Sequence, residues 1–181
     1  MIIEEFGDRK IYAQTEDELG RRLSLHDVIR VEMGTLTLPL EDAVAWVLEH
    51  VTVRPGFREF AEEHRPVILS SGFLELIEPV LERERISLDV HANRLDADAG
   101  GWRPIWRDEA QCAECGEACK RSGLPNGSPV VYVGDGYSDH CVALAADRVF
   151  ARDGLARYLE REGVAYEPFE DFAQLGAALG P

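Results

Sequence analysis

Val130-Val131-Tyr132-Val133-Gly134-Asp135-Gly136-Tyr137-Ser138-Asp139 is an apolar run that stops abruptly in two acids set among glycines. A short β-branched and aromatic run bounded by glycine predicts a buried parallel strand, and the Gly-Asp-Gly turn puts Asp135 at its carboxyl end. Open α/β sheets bind their ligands at that edge. Glycines on both sides of Asp135 admit a ligand close to the backbone, and Asp139 falls four residues on, in the first turn of the next helix. Two carboxylates so placed suit Mg²⁺. Asp-Gly is also ordinary turn chemistry, so the reading needs support from elsewhere in the chain.

That support lies upstream. Val67-Ile68-Leu69-Ser70-Ser71-Gly72-Phe73 is a second apolar strand, ending in hydroxyls and a glycine before a helix predicted over Phe73 to Glu84. Hydroxyls and free amides at a helix start, here Ser70, Ser71 and Gly72, fit a phosphate. In Cys115-Gly116-Glu117-Ala118-Cys119-Lys120 the lysine adds a point charge for a phosphoryl oxygen. Strand-end hydroxyl, lysine and strand-end acids occur in that order.

The order resembles the haloacid dehalogenase superfamily of phosphatases, whose four motifs are an Asp-x-Asp nucleophile, a Ser/Thr, a Lys and a final acidic pair. The resemblance implies an α/β fold with a doubly wound, Rossmann-like parallel sheet and a small helical cap. It implies a Mg²⁺-dependent phosphomonoesterase of a small phosphorylated metabolite, working through an aspartyl phosphate. Ser70 is then the phosphate-binding hydroxyl with Ser71 and Gly72 beside it, and Lys120 the charge-neutralising lysine. Asp135 is a Mg²⁺ ligand, and Asp139 the acid that supports the metal shell and is counted with the metal site. Ser70, Lys120 and Asp139 are the candidate catalytic residues.

Within the superfamily the likeness is to the phosphoserine-phosphatase-like branch. It is nearest to the methionine-salvage phosphatases acting on 2-hydroxy-3-keto-5-methylthiopentenyl-1-phosphate. Pro55-Gly56-Phe57, His91-Ala92-Asn93 and Ala145 to Ala151 carry it beside the motifs. Ser138 stands where phosphoserine phosphatases generally have Asn, which favours the methionine-salvage type.

The first motif is the departure. No Asp-x-Asp precedes Ser70, and Glu4, Glu5 and Asp8 follow too few residues for a buried strand and its turn, which need on the order of ten. The expectation is an amino-terminal truncation that lacks the nucleophile and the middle strand, so that the chain hydrolyses phosphate esters poorly or not at all. A phosphoserine phosphatase, or a non-catalytic remnant binding phosphate or metal in a regulatory role, are the alternatives.

The 181 residues hold 19 Lys+Arg against 34 Asp+Glu, a net charge of -15. Such a surface repels nucleic acid and anionic membranes, so neither is an expected partner. No apolar run approaches the roughly 18 residues of a membrane span and the first residues form no signal peptide, which predicts a cytoplasmic protein.

Cys112, Cys115 and Cys119 are clustered, and Cys141 follows Asp139-His140. Three thiols at such spacing suit zinc, with His140, Cys141 or His91 as a fourth ligand. No second C-x-x-C pair completes the pattern, so free thiols on a lysine-bearing loop are the preferred reading. His91 and His140 are read as surface or core residues.

Thr15-Glu16-Asp17-Glu18 has the form of a capping box, and Leu40 to Val51 is amphipathic through Ala43, Val44, Val47, Leu48 and Val51. The helical part to residue 53 is read as the cap and 54–181 as the α/β core. In that core a helix is predicted over Phe57 to His64 and strands over Val67 to Ser70 and Leu88 to Ala92. A hairpin over Asn93 to Arg107 with Trp102 and Trp106 follows, then strands over Val130 to Val133 and Arg148 to Ala151. Helices over Leu155 to Glu162 and Glu170 to Leu179 complete the reading.

Overall fold

The computed structural model describes residues 2–98, 100–125 and 127–180, and Met1, Ala99, Asn126 and Pro181 lie outside it. In chain order the elements are α1 (Ile2–Phe6), α2 (Arg9–Glu18), α3 (Leu25–Met33), α4 (Leu40–His50), α5 (Phe57–His64), β1 (Ile68–Phe73) and α6 (Leu74–Arg83). They continue as β2 (Val90–Asp98), β3 (Gly101–Ile105), β4 (Val131–Gly134), α7 (His140–Ala143), β5 (Arg148–Ala151), α8 (Asp153–Glu162), β6 (Glu167–Pro168) and α9 (Phe172–Leu179). The α/β class is as expected, and the described strands pair in two ladders, β1-β2-β3 and β4-β5-β6. No helix among the described residues is long and apolar enough to cross a membrane.

Two units divide the chain, each assembled from two segments: Met1–Thr52 with Ser70–Glu109, and Val53–Leu69 with Ala110–Pro181. The stretch Ser70–Glu109, read as core, groups with the N-terminal helices.

In the first unit, Ile3, Met33, Leu36, Ala43, Phe73, Leu95 and Trp102 form one buried cluster. Ala43 and Val47, four residues apart, are the buried stripe of α4, as the 3.6-residue period requires. The guanidinium of Arg83 donates to the carbonyls of Leu48 and Val51, satisfying the end of that helix. The β2-β3 pairing is antiparallel, Leu95 facing Pro104 and Ala97 facing Trp102, which is the expected hairpin. Ala99 of its turn is outside the described residues. Trp102 is fully buried and its indole N–H donates to the Leu38 carbonyl at 3.0 Å, while Trp106 stacks on the ring of His26 with centroids 3.8 Å apart. Asn93 is buried and used on both ends: its amide donates to the Ser71 carbonyl and its oxygen accepts from Arg107 N, each at 3.0 Å.

The reading of Thr15 as a helix cap is corrected. Asp8 caps α2, its carboxylate accepting from the N–H groups of Lys10 and Ile11. Thr15 lies inside that helix, where its hydroxyl donates to the buried carboxyl of Glu32 at 2.6 Å, with the carbonyl oxygens of Ile11 and Tyr12 each 3.0 Å away. The capping box belongs instead to Ser24 and Asp27 at the start of α3.

In the second unit β4, β5 and β6 are parallel, with Val133 beside Phe150 and Phe150 beside Glu167. One face of that ladder packs Tyr132, Val149 and Ala151 with Val142, Leu155 and Leu159, and a second cluster joins Phe60, Phe150, Phe169 and Leu175. Gly56, in the left-handed region at φ 78°, leaves no room for a side chain, because a Cβ there would stand 2.5 Å from Ala173 N. Phe172 N closes the contact by donating to the Pro55 carbonyl.

Candidate active site

β4 ends at Gly134, and the backbone then wraps around one carboxylate. Asp139 closes the 3₁₀ turn Tyr137–Asp139, and its Oδ2 accepts the N–H groups of Asp135 and Gly136, both at 2.9 Å. Its Oδ1 accepts Lys120 Nζ at 2.6 Å and the Tyr132 hydroxyl at 2.7 Å. Gly134 is glycine because a Cβ there would lie 2.7 Å from the Asp139 carboxyl carbon. Burial works against the charge on Asp139, yet the Lys120 ammonium, the Gly136 N–H and the Tyr132 hydroxyl more than offset it and hold the carboxyl below its ordinary range. Tyr132 is pushed the opposite way, by burial and then by the Asp139 charge, so it stays a neutral donor.

Asp135 faces outward at the tip of the loop, its side chain more than half exposed and 4.0 Å from the Arg54 guanidinium. Gly136 has open space where a side chain would project. The structure therefore brings Lys120, Asp135 and Asp139 together. Ser70, Ser71 and Gly72 belong to the other unit, where they are the end of β1 rather than a helix start. Ser70 Oγ accepts the Gly72 N–H at 3.0 Å, so the Gly72 amide, read as free for phosphate, is engaged by its neighbour. That bond leaves the Ser70 O–H as a donor.

Residues 18–144 match the family model of the haloacid dehalogenase-like hydrolases. The chain belongs to this family. A 2-hydroxy-3-keto-5-methylthiopentenyl-1-phosphate phosphatase of Geobacillus kaustophilus is 30% identical over 98% of this chain and 86% of its own length. Pdp3-interacting factor 1 of Schizosaccharomyces pombe is 27% identical over 87% of the chain and 76% of its own length. A phosphoserine phosphatase structure described as a phospho-aspartyl intermediate analogue superposes with a TM-score of 0.68 at 18% identity, covering 99% of this chain and 90% of that one. These likenesses set this haloacid dehalogenase-like hydrolase among the phosphatases of its family, with a fold shared with phosphoserine phosphatase.

The donor sets of the two family acids differ in what they leave for Mg²⁺. A carboxylate offers about four lone-pair sites, and those of Asp139 meet four donors. Direct ligation by Asp139 would displace one of them, so beside a bound ion it would stand behind the metal, while here it shapes the loop and holds Lys120. Asp135 fits the ion: its carboxylate is exposed and its nearest cation is 4.0 Å away. Mg²⁺ ordinarily uses one or two carboxylates and keeps several waters, so one such group is a sufficient protein contribution beside a phosphate.

Tyr132 is the functional residue that sequence reasoning missed. The available signal was a lone phenol in an otherwise aliphatic strand, since a buried Tyr hydroxyl needs a partner. Neither histidine joins the site: His140 stacks on Tyr158 with centroids 3.7 Å apart, and His91 Nε2 lies 3.1 Å from Asp89. Arg54, brought to Asp135 from a distant segment, carried no sequence signal at all.

Proposed function

We propose that this haloacid dehalogenase-like hydrolase is a Mg²⁺-dependent phosphomonoesterase of a small phosphorylated metabolite, of the methionine-salvage type. The observation that carries the proposal is the Asp139 carboxylate binding Lys120 and the Gly-Asp-Gly backbone at once, which fixes a cation beside an open, metal-competent Asp135. Groups held in place before the substrate arrives need no reorganisation when charge develops, and electrostatic stabilisation of this kind is commonly the largest catalytic term. Lys120 neutralises a phosphoryl oxygen and Asp135 holds the metal, while Ser70 keeps the role of phosphate-binding hydroxyl that the family pattern gives it. When bound, Mg²⁺ neutralises charge on the transferring phosphoryl group. The relatives named as methionine-salvage phosphatases support the substrate class.

Residues 1–69 contain no Asp-x-Asp. The carboxylate that would carry an aspartyl phosphate is therefore not supplied ahead of Ser70, and hydrolysis by residues 1–181 alone is proposed to be weak or nil. Loss of a nucleophile costs several orders of magnitude, while binding and electrostatics retain a remainder. The net charge of -15 supports a small-molecule substrate over nucleic-acid or anionic-membrane partners.

Phosphate release is the test. Phosphoserine, 2-hydroxy-3-keto-5-methylthiopentenyl-1-phosphate and other phosphomonoesters are offered to residues 1–181 and to a form extended upstream by a strand bearing Asp-x-Asp, with Mg²⁺ and with chelator. Mg²⁺-dependent turnover by the extended form, highest on the methylthio substrate, is expected. Silence of both forms would move the assignment to a phosphate- or metal-binding role.

A further inference from the structure

The phosphatase chemistry uses none of the four cysteines, yet the fold gathers all of them. Cys112, Cys115, Cys119 and Cys141 place their sulfurs within 4.8 Å of one another, and the Cys112 and Cys141 sulfurs are 3.8 Å apart. None of the four is in a disulfide. A tetrahedral zinc–thiolate site with bonds of about 2.3 Å has sulfur–sulfur edges of about 3.8 Å. The cluster is thus at the spacing of a four-thiolate cage before any ion is considered.

The backbone around the first two ligands is shaped for a metal as well. In Cys112-Ala113-Glu114-Cys115-Gly116 the chain folds into a tight knuckle: Gly116 N donates to the Cys112 carbonyl at 2.9 Å, and Cys112 N donates to the Glu117 carbonyl at 3.0 Å. Gly116 takes φ 73°, a conformation that glycine adopts without cost. The knuckle turns the N–H groups of Cys115 and Glu114 toward the Cys112 sulfur. Arg121 bonds the Cys141 sulfur and lies near Cys112, so a cation already stands against a cage whose four thiolates and one Zn²⁺ sum to a net charge of about −2. Such outer partners orient ligands and tune the ion.

We propose that these four cysteines form a structural zinc site. Thiolate softness selects Zn²⁺ over the Mg²⁺ of the phosphatase reading, and four protein ligands leave no open position for catalysis. Binding converts the thiols to thiolates and releases their protons to solvent. The site clamps the loop that carries Lys120, because Cys119 is the residue before it, to α7, which follows Asp139 and contains Cys141. Zinc and the Lys120–Asp139 ion pair therefore fasten the same two segments.

The test is independent of phosphate release. Protein purified under reducing conditions from zinc-supplemented culture is assayed by elemental analysis, by thiol titration before and after zinc removal, and by substitution with Co²⁺. About one tightly held zinc per chain, four thiols that react only after zinc is withdrawn, and sulfur-to-cobalt charge-transfer bands are expected. C112S and C141S should each lower zinc content at least ten-fold. Zinc removal from the intact wild-type chain should lower its thermal midpoint by roughly 5 °C or more, a readout that survives if the variants fail to fold. Less than about a tenth of an equivalent of zinc with no cobalt–thiolate bands, or iron in its place, would overturn the proposal.

Discussion

Lys120 Nζ stands 2.6 Å from Asp139 Oδ1, with 12% and 4% of the two side chains exposed, so each charge is the other's chief compensation for leaving water. A buried pair of this kind is unforgiving of the loss of one partner, because the survivor keeps its desolvation penalty. Asp139→Asn should therefore cost about 3–5 kcal/mol in urea unfolding at neutral pH, and less when Lys120→Met is already present. The folded carboxyl is depressed, so its contribution is fully present above the ordinary value of 3.8 and disappears as pH falls through the lower folded value. The variant's stability should accordingly flatten on that acid limb.

Tyr132→Phe tests the phenol without emptying the core. The ring still packs against Val142 and Leu155, but the 2.7 Å bond to Asp139 is gone. A loss of about 1.5–3 kcal/mol is expected, the range for hydrogen bonds to charged groups. The Asp139 carboxyl should also titrate at higher pH than in the wild type, measurable by carboxyl NMR.

The two glycines flanking Asp135 should behave oppositely. In Gly134→Ala the new methyl meets a carboxyl carbon 2.7 Å away that four donors hold in place, and a destabilisation of about 1–3 kcal/mol follows. Gly136 has φ −127° and open space around its missing side chain, so Gly136→Ala should fold with stability within about 0.5 kcal/mol of wild type. Thermal melts of the pair settle the contrast.

Glu32 gives a pH dependence of the other sign. Burial raises its carboxyl above 4.5, partly countered by the Thr15 hydroxyl donated at 2.6 Å. Below 4.5 both folded and unfolded chains hold the proton. As pH climbs past it the unfolded chain releases the proton first, so stability declines until the folded value is reached. Glu32→Gln should remove that decline and be more stable than wild type at pH 7, while Thr15→Val, which strands the carboxyl, should cost about 1–3 kcal/mol.

How much of this was legible depends on distance along the chain. α5, β5 and the β2-β3 hairpin follow from local period and turn chemistry, and the structure places them where the residues predict. The order Ser70, Lys120, Asp135, Asp139 carried the family, because it is a property of the line. Thr15 misled because a Thr-x-x-Glu pattern looks alike inside a helix and at its start; the deciding fact is that Asp8 caps earlier. Cys141 meeting Cys112 across 29 residues, Tyr132 reaching Asp139, and Ser70–Glu109 joining the N-terminal helices are products of packing, which periodicity does not encode.

The interleaving of the two units sets an order of events at the ribosome. Every segment of the first unit has been made once Glu109 is out, whereas α5, made earlier, must await α9, whose Phe172 meets Phe57 and Phe60. About a hundred residues separate them, on the order of ten seconds of synthesis during which an aromatic face stands in water. A nascent chain of this protein is thus a natural client for chaperones, and clipping its last helix would leave that exposure permanent.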